Sequence, residues 1–144
     1  MTNFNTRRSS AHRTFFSHTQ TQTQMKSPKQ IVQDILTELP TLLAVAVVET
    51  ESGMPLASHS NIADFDIETA AAYNTEVVKA KLKALSALKL NQTLQDILLT
   101  LTDQFHLLRL SSDGGMFVYL AVNSRDTNLA QARMVMRASA GNLS

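Results

Sequence analysis

The sequence predicts a domain of the α/β (α+β) class: a five-stranded antiparallel sheet with helices on both faces, in the order α-β-β-α-β-β-β-α. Three observations lead there. Residues 43–48 and 116–122 are apolar at every position, as in strands covered on both faces. Three longer segments repeat apolar residues at helical spacing. The connections 49–53, 103–104 and 111–115 are too short for parallel crossovers and imply antiparallel neighbours.

Each element has its own signal. Ser27-Pro28 has the form of a helix cap followed by proline in the first turn. Ile31, Ile35 and Leu39, flanked by Val32 and Leu36, then recur at helical spacing until Pro40 stops the segment. After the first apolar strand, Glu49-Thr50-Glu51-Ser52-Gly53 reads as a turn and residues 54–59 as a returning strand. Pro55 places that strand at a sheet edge, because proline cannot donate to the ladder. Asp64 or Asp66 caps a long helix reaching about Leu88, with acids at its start and lysines toward its end complementing the helix dipole. Its apolar face is Ile67, Ala70, Ala71, Val78, Leu82, Leu85 and Leu88, interrupted by Asn74. Strands are expected over about 94–102, 105–110 and 116–122, the last two joined by a turn containing Asp113-Gly114, a strong hairpin signal. Asp126 or Thr127 opens the last helix, with Leu129, Ala132, Val135 and Met136 inward and its end before Gly141.

Composition narrows the chemistry. A chain of 144 residues and 15.9 kDa with 44% hydrophobic content supports one domain with a real core. It contains no cysteine, which excludes thiol nucleophiles, thiolate metal sites and disulfides. Its four glycines, at 53, 114, 115 and 141, spell neither a P-loop nor a dinucleotide fingerprint. The net charge of +1 is unevenly divided: Arg7, Arg8, Arg13, Lys26 and Lys29 precede every acid, and the remaining chain is acidic, near −4. That body lacks the clustered basic face of a nucleic-acid binder, so no nucleic-acid partner is expected. Residues 1–28 read as a disordered basic and polar tail, fifteen of them Ser, Thr, Asn or Gln, and 29–144 as the domain. An inert extension preceding a start at Met25, a transit peptide and an electrostatic arm all fit such a tail. No run of 18 apolar residues offers a membrane span, and a cytoplasmic location is expected.

These residues resemble a known family. Ala44-Val45-Ala46-Val47-Val48-Glu49-Thr50-Glu51-Ser52-Gly53-Met54-Pro55-Leu56-Ala57 is similar to the opening of the Roadblock/dynein-light-chain domain, and residues 113–122 followed by Asn128, Leu129 and Arg133 are similar to its close. The resemblance spans roughly 29–140. It departs at Pro40, Thr41, Leu42 and Ala44, where the family usually carries glycines. It implies a profilin-like fold that dimerises, with third strands pairing edge to edge and long middle helices packing together. Ala71, Asn74, Val78, Leu82, Leu94, Ile97 and Leu99 are the expected homodimer interface. The sequence supports this independently, since residues 94–101 form an apolar edge with Asp96 as its single charge, a hazard unless paired.

Catalytic candidates are weak. His12 and His18 fall in the tail, and His59 and His106 have no partner at ligand spacing. Glu49 and Glu51 share a strand end in the manner of solvated acids, and no serine sits in a nucleophile elbow. No catalytic, metal or cofactor site is expected, and no enzyme. Lys79 and Lys83, at i and i+4 on the long helix, are candidates for docking an acidic partner. The expected function, implied by the resemblance, is a non-enzymatic dimeric regulator or scaffold of a small Ras-like GTPase. No arginine is marked as a catalytic finger. A small-ligand sensory domain of profilin-like fold and a motor-complex light chain are the alternatives.

Overall fold

A computed structural model describes residues 25–143; the tail expected over 1–28 lies mostly outside them. Helix α1 (Pro28–Glu38) begins as expected: the Ser27 side chain accepts from the Gln30 N–H at 3.3 Å, with Pro28 in the first turn. Pro40 lacks the N–H a further turn would need, so the helix ends at Glu38. Strand β1 (Ala44–Glu49) and edge strand β2 (Pro55–Ser60) form a hairpin, with a register shift where Pro55 meets Val48. Helix α2 (Ile67–Ala87) follows, and β3 (Asp96–Thr100), β4 (Gln104–Leu110) and β5 (Met116–Asn123) precede helix α3 (Leu129–Gly141).

The strands form one antiparallel sheet in the order β2-β1-β5-β4-β3. The two strands read as apolar on both faces, β1 and β5, stand side by side near its middle. Val45, Val47, Val118, Leu120 and Val122 pack with Ile31, Ile35, Ala132 and Met136 of α1 and α3. Ala44, Ala46, Val48, Phe117, Tyr119 and Ala121 pack on the other face with Ala71 and Val78 of α2. The result is three layers, with β2 and β3 at the edges.

Several boundaries differ from expectation for identifiable reasons. Asp66, not Asp64, caps α2: its carboxylate accepts from the Thr69 N–H at 3.0 Å and the Thr69 hydroxyl at 2.6 Å. Asp64 instead occupies a left-handed turn conformation, φ 66°, which a short polar residue tolerates. Asn128, not Asp126 or Thr127, caps α3 through the Gln131 N–H, because Asn123 first turns the chain by accepting from the Arg125 N–H. That helix runs through Gly141 rather than ending before it. β3 starts at Asp96, so Leu94 lies in the segment before the strand.

Helix α2 packs closely against the β1–β2 turn. Gly53 has φ +75°, and a Cβ there would lie 3.2 Å from the Thr75 hydroxyl. Close by, Lys79 Nζ donates to the Glu51 carbonyl at 2.7 Å. Gly53→Ala is expected to lower unfolding free energy by about 1–3 kcal/mol in urea titrations, from left-handed strain plus crowding. Gly141→Ala, where a Cβ meets nothing within 4 Å, is expected to shift it by less than about 0.5 kcal/mol.

Candidate functional site

Residues with apolar surface to offer include several on α2 and at the β3 edge. In a helix of 3.6 residues per turn, Ala71, Asn74, Thr75 and Val78 share the flank facing the sheet, and all are buried. Ala71 and Val78 have no exposed surface, and the Asn74 amide donates to the Ala70 carbonyl at 2.8 Å. These three members of the expected interface are therefore buried against the protomer's own sheet. Leu82 continues that line but remains partly exposed. With Leu85, Leu90, Leu94 and Leu110 it lines one side of a groove of about 550 Å³ beside the β4–β5 turn, whose remaining lining is polar and includes Gln92, Ser112 and Asp113.

A second apolar stripe runs along another flank of α2, joining Ala70 and Leu88 of the expected apolar face with Tyr73 and Val77, which the sequence does not single out. Tyr73 is 67% exposed and Leu88 68%, with Val77 between them and Ala70 and Ala84 on the same side. Residues 73, 77, 84 and 88 follow the i, i+4 and i+7 spacing of a helix face. Lys79 lies away from this stripe, tied to Glu51, so one of the two docking lysines is part of the fold's own latch. Lys83 is exposed and unpaired among the described residues.

β3 is an edge strand, paired on one side with β4 alone. Its register, Ile97 opposite Leu108 and Leu99 opposite His106, sets both side chains on the sheet face that α2 covers. Both remain only half-buried. Tyr119 is edge-on to His106, and its hydroxyl lies 3.2 Å from His106 Nδ1. His106 Nε2 lies 2.8 Å from Gln104 Oε1, an acceptor, so Nε2 carries the proton and Nδ1 accepts from tyrosine. This arrangement needs the neutral ring, and burial lowers the His106 pKa below its usual value. Burial pushes the Tyr119 hydroxyl up to about 12, keeping it a donor.

His59 bonds Asn61, and among the described residues no group of three or more His, Asp or Glu could hold a metal ion. Glu49 accepts from Ser52 beside the β1–β2 turn. Asp113 accepts from the Gly115 N–H and the Ser111 hydroxyl, which hold its pKa down and brace the β4–β5 turn. Among the described residues no helix is long and apolar enough to cross a membrane.

No family model and no curated protein matches this sequence. Solved structures do match its shape. Myxococcus xanthus MglB superposes with a TM-score of 0.68 at 12% identity, over 78% of this chain and 90% of that one. A Roadblock/LC7 domain from Streptomyces avermitilis gives 0.68 at 10% identity, over 80% and 92%. A structure described as MglB with tetrameric arrangement gives 0.66 at 13% identity, over 81% and 86%. The chain has the Roadblock/LC7 fold, as the resemblance implied.

A pH dependence follows from His106. Its pKa is lower folded than unfolded, so its contribution is complete above the unfolded value of about 6.5 and is lost as pH falls through the folded value. Asp66 and Asp113, whose carboxyls are held low, add their losses only below about pH 4. Chemical denaturation between pH 7.5 and 5 is expected to show falling stability, and His106→Gln is expected to flatten that segment of the profile.

Proposed function

We propose that this chain is a non-enzymatic, self-associating interaction module that regulates or scaffolds a small Ras-like GTPase. The reading takes 29–144 as the domain and 1–28 as an appended basic tail. The observation that carries it is the pairing of an exposed apolar flank on α2 with an open strand edge on the same sheet face, in a protein with the Roadblock/LC7 fold. MglB, which has a similar fold, is described in a tetrameric arrangement, which supports self-association here.

Magnitudes favour a seam built from both elements. Burying Tyr73, Val77 and Leu88 contributes roughly 1–2 kcal/mol each. A symmetric dimer buries every one of them twice, for roughly 6–12 kcal/mol. Association costs about 4–15 kcal/mol in lost freedom. The helix flank alone is therefore marginal, and β3 pairing with its copy supplies the remainder. In this reading Ile97, Leu99, Leu82 and Leu94 stay in the interface, and Tyr73, Val77 and Leu88 replace the buried Ala71, Asn74 and Val78. Lys83 is the free docking cation, and Lys79 contributes through its latch.

Sedimentation at micromolar concentration is expected to give twice the 15.9 kDa chain mass. Val77→Glu combined with Leu99→Lys is expected to give a folded monomer with an unchanged circular-dichroism spectrum. A clean wild-type monomer counts against the module. For the partner, immobilised protein is expected to retain a small Ras-like GTPase from native extract, with retention dependent on its nucleotide state and reduced by Lys83→Glu. Retention of no GTPase in either state overturns that half of the reading.

A further inference from the structure

On the sheet face opposite α2, the end of β4, the C-terminal half of α3 and the segment entering β3 surround a cavity of about 490 Å³. It adjoins the groove beside α2, sharing Thr93, Leu94, Leu110, Ser111 and Ser112 with it, and differs in its two arginines. Arg109 reaches it from β4 and Arg137 from α3, and Thr93 and Ser112 add hydroxyls.

The charges there are poorly matched. The Arg109 side chain is only 17% exposed, yet its nearest carboxylate oxygen, on Asp96, stands 4.0 Å from Nη1, beyond hydrogen-bond reach. Asp96 is held instead by Arg133, with Nε 3.2 Å from Oδ2 and Nη2 3.4 Å from Oδ1. Arg137 has neither ion pair nor hydrogen bond among the described residues. Arg109 and Arg133 thus share one carboxylate, and Arg137 adds a further guanidinium to the cavity wall. Arg109 presents a rigid fork of five N–H donors that has a long ion pair with Asp96 but no hydrogen-bond acceptor among the described residues. A largely buried cation in that state is costly until something accepts from it.

Shape agrees with charge. Arg133, Arg137 and Gly141 succeed one another at i, i+4 along α3, so the helix brings two guanidiniums and then a residue without a side chain to this end. A Cβ on Gly141 would meet nothing within 4 Å, so the space beside it is open. The carbonyl end of α3 carries about half a negative charge, which opposes an anion. A local excess of two positive charges outweighs it.

We propose that this cavity binds a compact oxyanion, the phosphomonoester or carboxylate group of a small molecule. Arg109 is the buried fork beneath it and Arg137 the exposed clamp, with Thr93 and Ser112 as further donors. The cavity meets the self-association surface at Leu94, but its charged groups, Arg109 and Arg137, lie outside that surface, so the two readings are tested independently.

Calorimetric titration and thermal unfolding of the full chain, at constant ionic strength, test it with sodium phosphate and disodium succinate as probes and sodium chloride as control. Saturable binding of one anion per chain is expected. At ten times Kd, the folded-to-unfolded ratio rises about elevenfold. Arg137→Ala is expected to weaken binding roughly tenfold, with Arg137→Lys restoring only part because lysine lacks the fork. A response to phosphate alone assigns a phosphomonoester, to succinate alone a carboxylate, and to both the shared chemistry. Responses no larger than that of chloride, or binding unaltered by Arg137→Glu, overturn the proposal.

Discussion

Two neighbouring strands with no polar face govern the architecture. In β1 and β5 every residue from Ala44 to Val48 and from Phe117 to Val122 is buried, so water must be kept from both sides of the sheet. The two sides are covered unequally. Val45, Val47, Val118, Leu120 and Val122 meet two helices, α1 and α3, whereas the opposite face has α2 alone. Five strands spaced about 4.8 Å apart span roughly 20 Å, and a helix with its side chains is about 10–12 Å across. Two helices can roof such a sheet and one cannot. The alanines at 44, 46 and 121 let α2 settle close, and Phe117 and Tyr119 fill part of the rest. The β3 margin, with Ile97 and Leu99, stays half-covered. An open margin beside an apolar helix flank is the structural consequence of placing one helix where two are needed.

Signals that depend on one or two residues in fixed positions were the most legible in the sequence. Ser27-Pro28 started α1, Pro55 marked an edge strand and Asp113-Gly114 marked the last hairpin, each through a local constraint that tertiary packing did not override. Choices among adjacent equivalents were less legible. Asp126, Thr127 and Asn128 are all good caps, and only the turn made by Asn123 selects the third. The interface was hardest. Periodicity shows that a residue lies on an apolar flank but not whether the same chain or another one covers it. Ala71 and Val78 carry the apolar periodicity yet are buried under their own sheet, whereas Tyr73 and Val77, which that periodicity passes over, are exposed. Leu94 belonged to a longer apolar run, yet only five of its residues pair with β4. The grouping of Arg109 with Arg137 had no local signal, because 28 residues separate them and the α3 packing brings them together.

The outer flank of α2 is a fixed surface rather than an adaptable one. The helix is held at its start by the Asp66 cap, at its middle by Thr75 against Gly53, and one turn later by Lys79 on the Glu51 carbonyl. Thr75 also donates back to the Ala71 carbonyl at 2.6 Å, which directs its side chain within the buried flank. Binding to a surface whose backbone is already ordered avoids most of the conformational entropy that a loop loses on docking. That advantage fades beyond Ala87, where the helix ends and Lys89 turns the chain with φ 54°. Tyr73 and Val77 lie within the braced span and Leu88 at its limit. The energetic centre of a seam on α2 should accordingly lie at the aromatic residue and its i+4 neighbour, where apolar area and rigidity coincide.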